Sequence, residues 1–146
     1  MSRPPARLAI RADGDARLGF GHVMRCAALA RALLDAGQAL VWFSRTPQAL
    51  PASLAARIEI RPMRPDDEDA AILLPALVQA DFAGLIADWQ ITDAQLCRQL
   101  RQGGVWLALI GNHLGGAEAD LTIRQGFEPA LKDDPANTCA GSAHIL

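Results

Sequence analysis

Residues 8–37 read LAIRADGDARLGFGHVMRCAALARALLDAG, and the order of residue types within them decides the fold. Leu8-Ala9-Ile10-Arg11-Ala12 reads as a short strand, broken by Asp13-Gly14-Asp15. Arg17 to Gly21 is a loop with glycines at 19 and 21. From His22 a helix is predicted, because Val23, Cys26, Ala27, Ala30, Leu33 and Leu34 recur at three- and four-residue spacing. Arg25, Arg31 and Asp35 fall off that stripe, and Gly37 is placed to close the helix in a left-handed cap. Strand, glycine loop and helix in this order open a βαβ unit.

The same alternation continues outward. Ala39 to Phe43 is a nearly all-apolar strand, the pattern of a strand buried on both faces of a parallel sheet. A short helix is expected within 47–56, and Arg57 to Arg61 alternates like a strand nearer an edge. Asp66-Asp67-Glu68-Asp69 is read as the solvated acidic start of a helix to about Ala80, kinked or split at Pro75. Gly84 to Asp88 is the next strand. Thr92-Asp93-Ala94-Gln95 fits a capping box with Thr92 as N-cap, for a helix ending at Gly103-Gly104. Val105 to Ile110, Asp120 to Ile123 and Thr138 to Ala140 complete the strands. Strands alternating with helices give the class: α/β, Rossmann-like, doubly wound, with a mainly parallel sheet.

The chain has 146 residues, which suits a single domain over 1–146. A 51% apolar content excludes a disordered or fibrous chain. The net charge of -2 offers no basic field for nucleic acid. No run approaches the length of a membrane span and no leader pattern opens the chain, so a cytoplasmic location is expected. Cys26, Cys97 and Cys139 are far apart, with neither metal-ligand nor disulfide-framework spacing. Nothing in the sequence requires a metal or a cofactor.

The glycine loop lies at the first strand-to-helix turn, where open α/β sheets bind ligands. Gly19 and Gly21 permit a tight turn and close backbone approach, and His22 falls at the helix N-terminus as a candidate general base. Dinucleotide binding is rejected: Met24 stands at the third glycine, and Ser44 and Arg45 stand where an acidic residue is needed. A P-loop is rejected because no Gly-Lys-Ser/Thr occurs.

The whole segment Arg11-Ala12-Asp13, spacer, Gly19-Phe20-Gly21-His22, Met24-Arg25-Cys26 resembles the PseG/SpsG family of nucleotide-sugar hydrolases. The resemblance implies one half of a GT-B-like architecture of two Rossmann-like domains around a cleft. It also implies loss of UDP from a diacetamido-trideoxy hexose on the way to pseudaminic acid, a sugar that commonly decorates flagellin. His22 takes the place of the family's catalytic histidine. Arg11, Asp13, Gly19, Phe20, Gly21, Arg25 and Asp88 are candidate substrate-binding residues. Arg11 and Arg25 either bind substrate anion or brace Asp13, and Asp13 either orients His22 or makes an Asx-turn. Asp88 is either a site residue or a loop cap. Trp89 is a core residue or a sugar platform, and Cys26 is read as core.

The sequence departs from the family at three places. Ala87 replaces an expected Asp, Gly111-Asn112 replaces an acidic pair, and Ile123-Arg124 stands where Asn is usual. The resemblance covers the family's first domain, so its C-terminal nucleotide-binding domain is expected to be absent and the isolated chain inactive. Two further readings stand beside this one. The chain is a catalytically silent nucleotide-sugar-binding or protein-interaction domain, or one subunit of a split GT-B-type enzyme. A separate partner subunit or a homo-oligomer would then complete the cleft.

Overall fold

A computed structural model describes residues 6–80, 82–111, 114–124 and 138–139. In chain order they form β1 (Arg7–Ala12), α1 (Gly21–Asp35), β2 (Leu40–Ser44), a 3-10 turn (Pro47–Ala49), α2 (Ala52–Ala55), β3 (Glu59–Pro62), α3 (Asp69–Val78), β4 (Phe82–Asp88), α4 (Ala94–Gln102), β5 (Trp106–Ile110), β6 (Leu121–Ile123) and β7 (Thr138–Cys139). Asn112, His113 and Ala140 lie outside the described residues.

The strands form one sheet in the order β3-β2-β1-β4-β5-β6-β7, and every pairing is parallel. This is the doubly wound, Rossmann-like order. Chain direction across the sheet reverses between β1 and β4, so the crevice for a ligand opens beyond their carboxyl ends.

Strand parity then sorts the side chains. Ile10, Ala12 and Ile86 pack on one face with Val23, Cys26, Ala27 and Ala30 of α1. Ala9, Leu85 and Ala87 pack on the other with Leu73 and Leu77 of α3 and Leu96 and Leu100 of α4. Successive residues of a strand point to opposite faces. Arg11 therefore turns toward α3, and Asp88 turns toward α1.

Most predicted elements are present within a residue or two, and three details differ. First, α3 starts at Asp69, leaving Asp66, Asp67 and Glu68 outside it. Second, α3 runs unbroken through Pro75, which is exposed, as is Ala71 one turn before it. The carbonyl that Pro75 cannot satisfy thus faces solvent. Third, the N-cap of α4 is Asp93 and not Thr92: its carboxylate accepts from Gln95 N at 2.9 Å and Leu96 N at 3.0 Å. A carboxylate is the stronger acceptor at a helix N-terminus. Asp93→Ala is accordingly expected to cost about 1 kcal/mol, read as a lower urea midpoint, whereas Thr92→Ala should leave that midpoint in place.

Candidate active site

The loop after β1 is built by two kinds of short-range bond. Asp15 Oδ1 accepts from Arg17 N at 2.8 Å and Leu18 N at 2.7 Å, an Asx-turn. Gly19 N returns to Asp15 O at 2.8 Å, and Gly19 takes φ +81°, which a side chain would resist. Gly14 has no room for a Cβ, which would stand 2.9 Å from Val23 Cγ2. These constraints deliver the chain to Phe20 as N-cap and to Gly21 and His22 as the first residues of α1.

His22 meets the end of β4. Its Nδ1 lies 2.5 Å from Asp88 Oδ1, and the Asp88 side chain is 1% exposed. Arg25, one turn further along α1, forks the same carboxylate with Nε on Oδ2 at 2.9 Å and Nη2 on Oδ1 at 3.1 Å. A carboxylate only accepts, so a contact this short requires the proton on Nδ1. Arg25 Nη2 is also 3.1 Å from Nδ1, but a guanidinium only donates and that nitrogen carries the proton. In the neutral imidazole the lone pair is then on Nε2, the nitrogen turned away from Asp88.

A second cluster lies on the α3 side. Arg11, 1% exposed at its side chain, places Nε 2.8 Å from Asp69 Oδ2 and Nη2 2.7 Å from Asp13 Oδ2. Arg45 joins the same two carboxylates, with Nη2 on Asp69 Oδ1 at 2.5 Å and Nη1 on Asp13 Oδ2 at 3.4 Å. The four residues form a closed ring of alternating charge. Asp13 also accepts from Ser44 Oγ at 3.0 Å and Arg45 N at 2.7 Å. Trp89 Nε1 donates to Asp69 Oδ2 at 2.6 Å.

Burial pulls these groups toward neutrality, but the ring outweighs it. Burial raises the Asp13 pKa, yet the bonded Arg11 guanidinium, Arg45 N and Ser44 hold its carboxyl below the usual range. Burial likewise works against the Arg11 charge, and Asp13 and Asp69 hold its pKa above the ordinary value. Cys26 behind the dyad is the reverse case: burial, then the Asp88 charge, push its thiol up. Burial, then Asp93, push Cys97 to about 11. Neither thiol is poised as a nucleophile.

The dyad and the ring line one cavity of about 410 Å³, completed by Leu18, Gln90, Ile91, Asp93 and Leu96 with Trp89. That volume is in the range of small-molecule sites. Of the sequence candidates, Arg11, Asp13, His22 and Asp88 reach the cavity wall. Gly19, Phe20 and Gly21 shape the turn, and Arg25 stands behind Asp88. The contacts of these side chains are as follows. Arg11 braces Asp13, and Arg25 holds Asp88 and does not touch Asp13. Asp13 neither contacts His22 nor makes the Asx-turn, which belongs to Asp15.

Arg45 and Asp69 had no signal as site residues. In the sequence Arg45 stands out only as the wrong residue for a dinucleotide site, and Asp69 only as part of an acidic run. Both face inward because β2 ends and α3 begins beside the carboxyl end of β1. Among the described residues, no group of three His, Cys, Asp or Glu is placed to hold a metal ion, and no helix is long and apolar enough to cross a membrane.

No family model and no curated protein matches the chain. The chain is similar to one solved structure, a glycotransferase of kitacinnamycin, over 74% of its length, with a TM-score of 0.45 and 17% identity. The chain spans 30% of that protein's length.

Proposed function

We propose that this chain is the histidine-bearing half of a nucleotide-sugar hydrolase site, as its resemblance to the PseG/SpsG family implies. The observation that carries the reading is the 2.5 Å contact between His22 Nδ1 and Asp88, which leaves Nε2 as a proton acceptor at a cavity on the switch point of the sheet. In this reaction a water oxygen bonds to the anomeric carbon of the glycosyl group. The water proton passes to Nε2 of His22. The bond from the anomeric carbon to the diphosphate oxygen breaks, and its electron pair leaves with UDP. Asp88 holds the imidazole in the working tautomer and stabilises the imidazolium that forms. In this proposal Asp88 makes good the acidic group missing at Ala87, from the neighbouring position and the α1 face.

A second body belongs to the same proposal, a nucleotide-binding domain or subunit covering the carboxyl edge of the sheet. Phe20 at the N-cap of α1 and Met24 in its first turn are about half exposed, and Ile91 at the cavity rim is 86% exposed. Large apolar side chains gathered at one edge suit a covered surface. The split-enzyme reading rests on that patch.

The test is a titration of the His22 side-chain NMR signals with UDP-N-acetylglucosamine, N-acetylglucosamine and UDP, with UDP release followed in the same samples. The two sugar-bearing ligands are expected to shift the His22 signals, and UDP release by the chain alone should stay near background. Absence of any shift with all three ligands would sink the reading. Turnover that persists in His22→Ala would remove His22 from the catalytic role.

A further inference from the structure

We propose that Asp69 is a positioning residue for the His22–Asp88 pair, acting through the ends of β1 and β4. The proposal rests on the reading that this pair is the working base of the site. Asp69 touches neither member. It sits at the first turn of α3, on the opposite face of the sheet from α1.

Its four hydrogen bonds explain its reach. Asp69 Oδ2 accepts from Arg11 Nε at 2.8 Å and from Trp89 Nε1 at 2.6 Å, and Oδ1 accepts from Arg11 Nη2 at 3.1 Å and Arg45 Nη2 at 2.5 Å. Arg11 and Trp89 belong to neighbouring strand ends, because Arg11 pairs with Ala87 and Ala12 with Asp88 in the β1–β4 register. Trp89 directly follows Asp88. A strand end is free to twist once its ladder stops, and any twist swings alternate side chains together. Pinning Arg11 and Trp89 on the α3 face therefore fixes the direction in which Asp88 emerges on the α1 face. A single carboxylate thus clamps both strands at the point where the chain paths diverge.

The charge ring has a second consequence for this clamp. Arg45 satisfies Asp69 and Asp13 together and also donates to Asp67 O. Asp69 is thereby held from three elements, β1, the β2 end and the start of α3, so it cannot follow Trp89 if that residue moves.

The experiment is a nitrogen NMR measurement of the His22 tautomer in wild type, Asp69→Asn, Trp89→Phe and Asp93→Asn. Asp69→Asn removes the clamp. Trp89→Phe removes only the indole bond and leaves the ring intact, so it decides the question by itself if Asp69→Asn fails to fold. Asp93→Asn removes a carboxylate from the same cavity without touching either strand end. Wild type is expected to show the proton on Nδ1. The ratio of that tautomer to the other should fall about fivefold in Asp69→Asn and in Trp89→Phe, the effect of one lost hydrogen bond of ordinary strength. Asp93→Asn should keep the wild-type ratio. An unchanged ratio in Trp89→Phe, or an equal fall in Asp93→Asn, would overturn the proposal. Absence of any UDP-sugar response, with the ratios falling as expected in Asp69→Asn and Trp89→Phe, would instead count against the hydrolase reading alone.

Discussion

Arg25→Met is expected to destabilise the fold by about 3–5 kcal/mol, the cost of leaving a buried charge without its partner. Asp88 is 1% exposed and receives both arms of the Arg25 fork, so without that cation its charge is left against one imidazole N–H. Arg25 itself is about a quarter exposed, so water compensates it when the roles are reversed. The asymmetry gives a sharper form of the test. Asp88→Asn should cost less than Arg25→Met, and the double variant should be more stable than Arg25→Met alone. Urea unfolding of the four proteins measures the coupling. If the two single losses simply add, the buried pair does not carry the energy assigned to it.

Arg11→Met is expected to have a similar effect, again about 3–5 kcal/mol near pH 7, because it leaves Asp13 and Asp69 facing one another with Arg45 as their remaining cation. Its sign with pH follows from Asp13. Arg11 holds the folded-state pKa of Asp13 below its unfolded value. Stability from that interaction is fully present above the unfolded pKa of about 3.9. It is lost as pH falls through the lower, folded value. The gap between wild type and Arg11→Met should therefore be wide at pH 7 and shrink below about pH 4. Unfolding midpoints across that range measure it, and a gap that widens in acid would contradict the ring as described.

Much of the fold is legible in the sequence alone. The apolar runs of β1, β2, β4 and β5 and the 3.6-residue stripe of α1 are local patterns, and local patterns report secondary structure. Gly37 reads as a helix stop, and its φ of +86° follows from that role. The capping-box pattern puts the N-cap of α4 one residue early, because Thr92 and Asp93 both suit the position and the carboxylate, the stronger acceptor, takes it. Pro75 misled in the other direction, since its cost depends on whether the freed carbonyl reaches water.

The site divides along the same line. His22 and the glycine turn are contiguous in sequence, so their pattern was recognisable, and Asp88 was suspect from its place at a strand end. The charge ring was not legible. Arg11 and Asp69 are 58 positions apart, and Arg45 and Asp69 are 24 apart, with no spacing rule to join them.

By itself the sequence determined an α/β chain with a glycine turn leading to His22 at a helix start, because those features are set by neighbours along the chain. The tertiary structure alone decided which charges meet. Placing β1 beside β4 at the switch point, with strand parity turning Arg11 to one face and Asp88 to the other, brings Asp69 to the first and His22 with Arg25 to the second. Buried charges require partners, and in this chain the partners come from distant elements that only the folded sheet brings together.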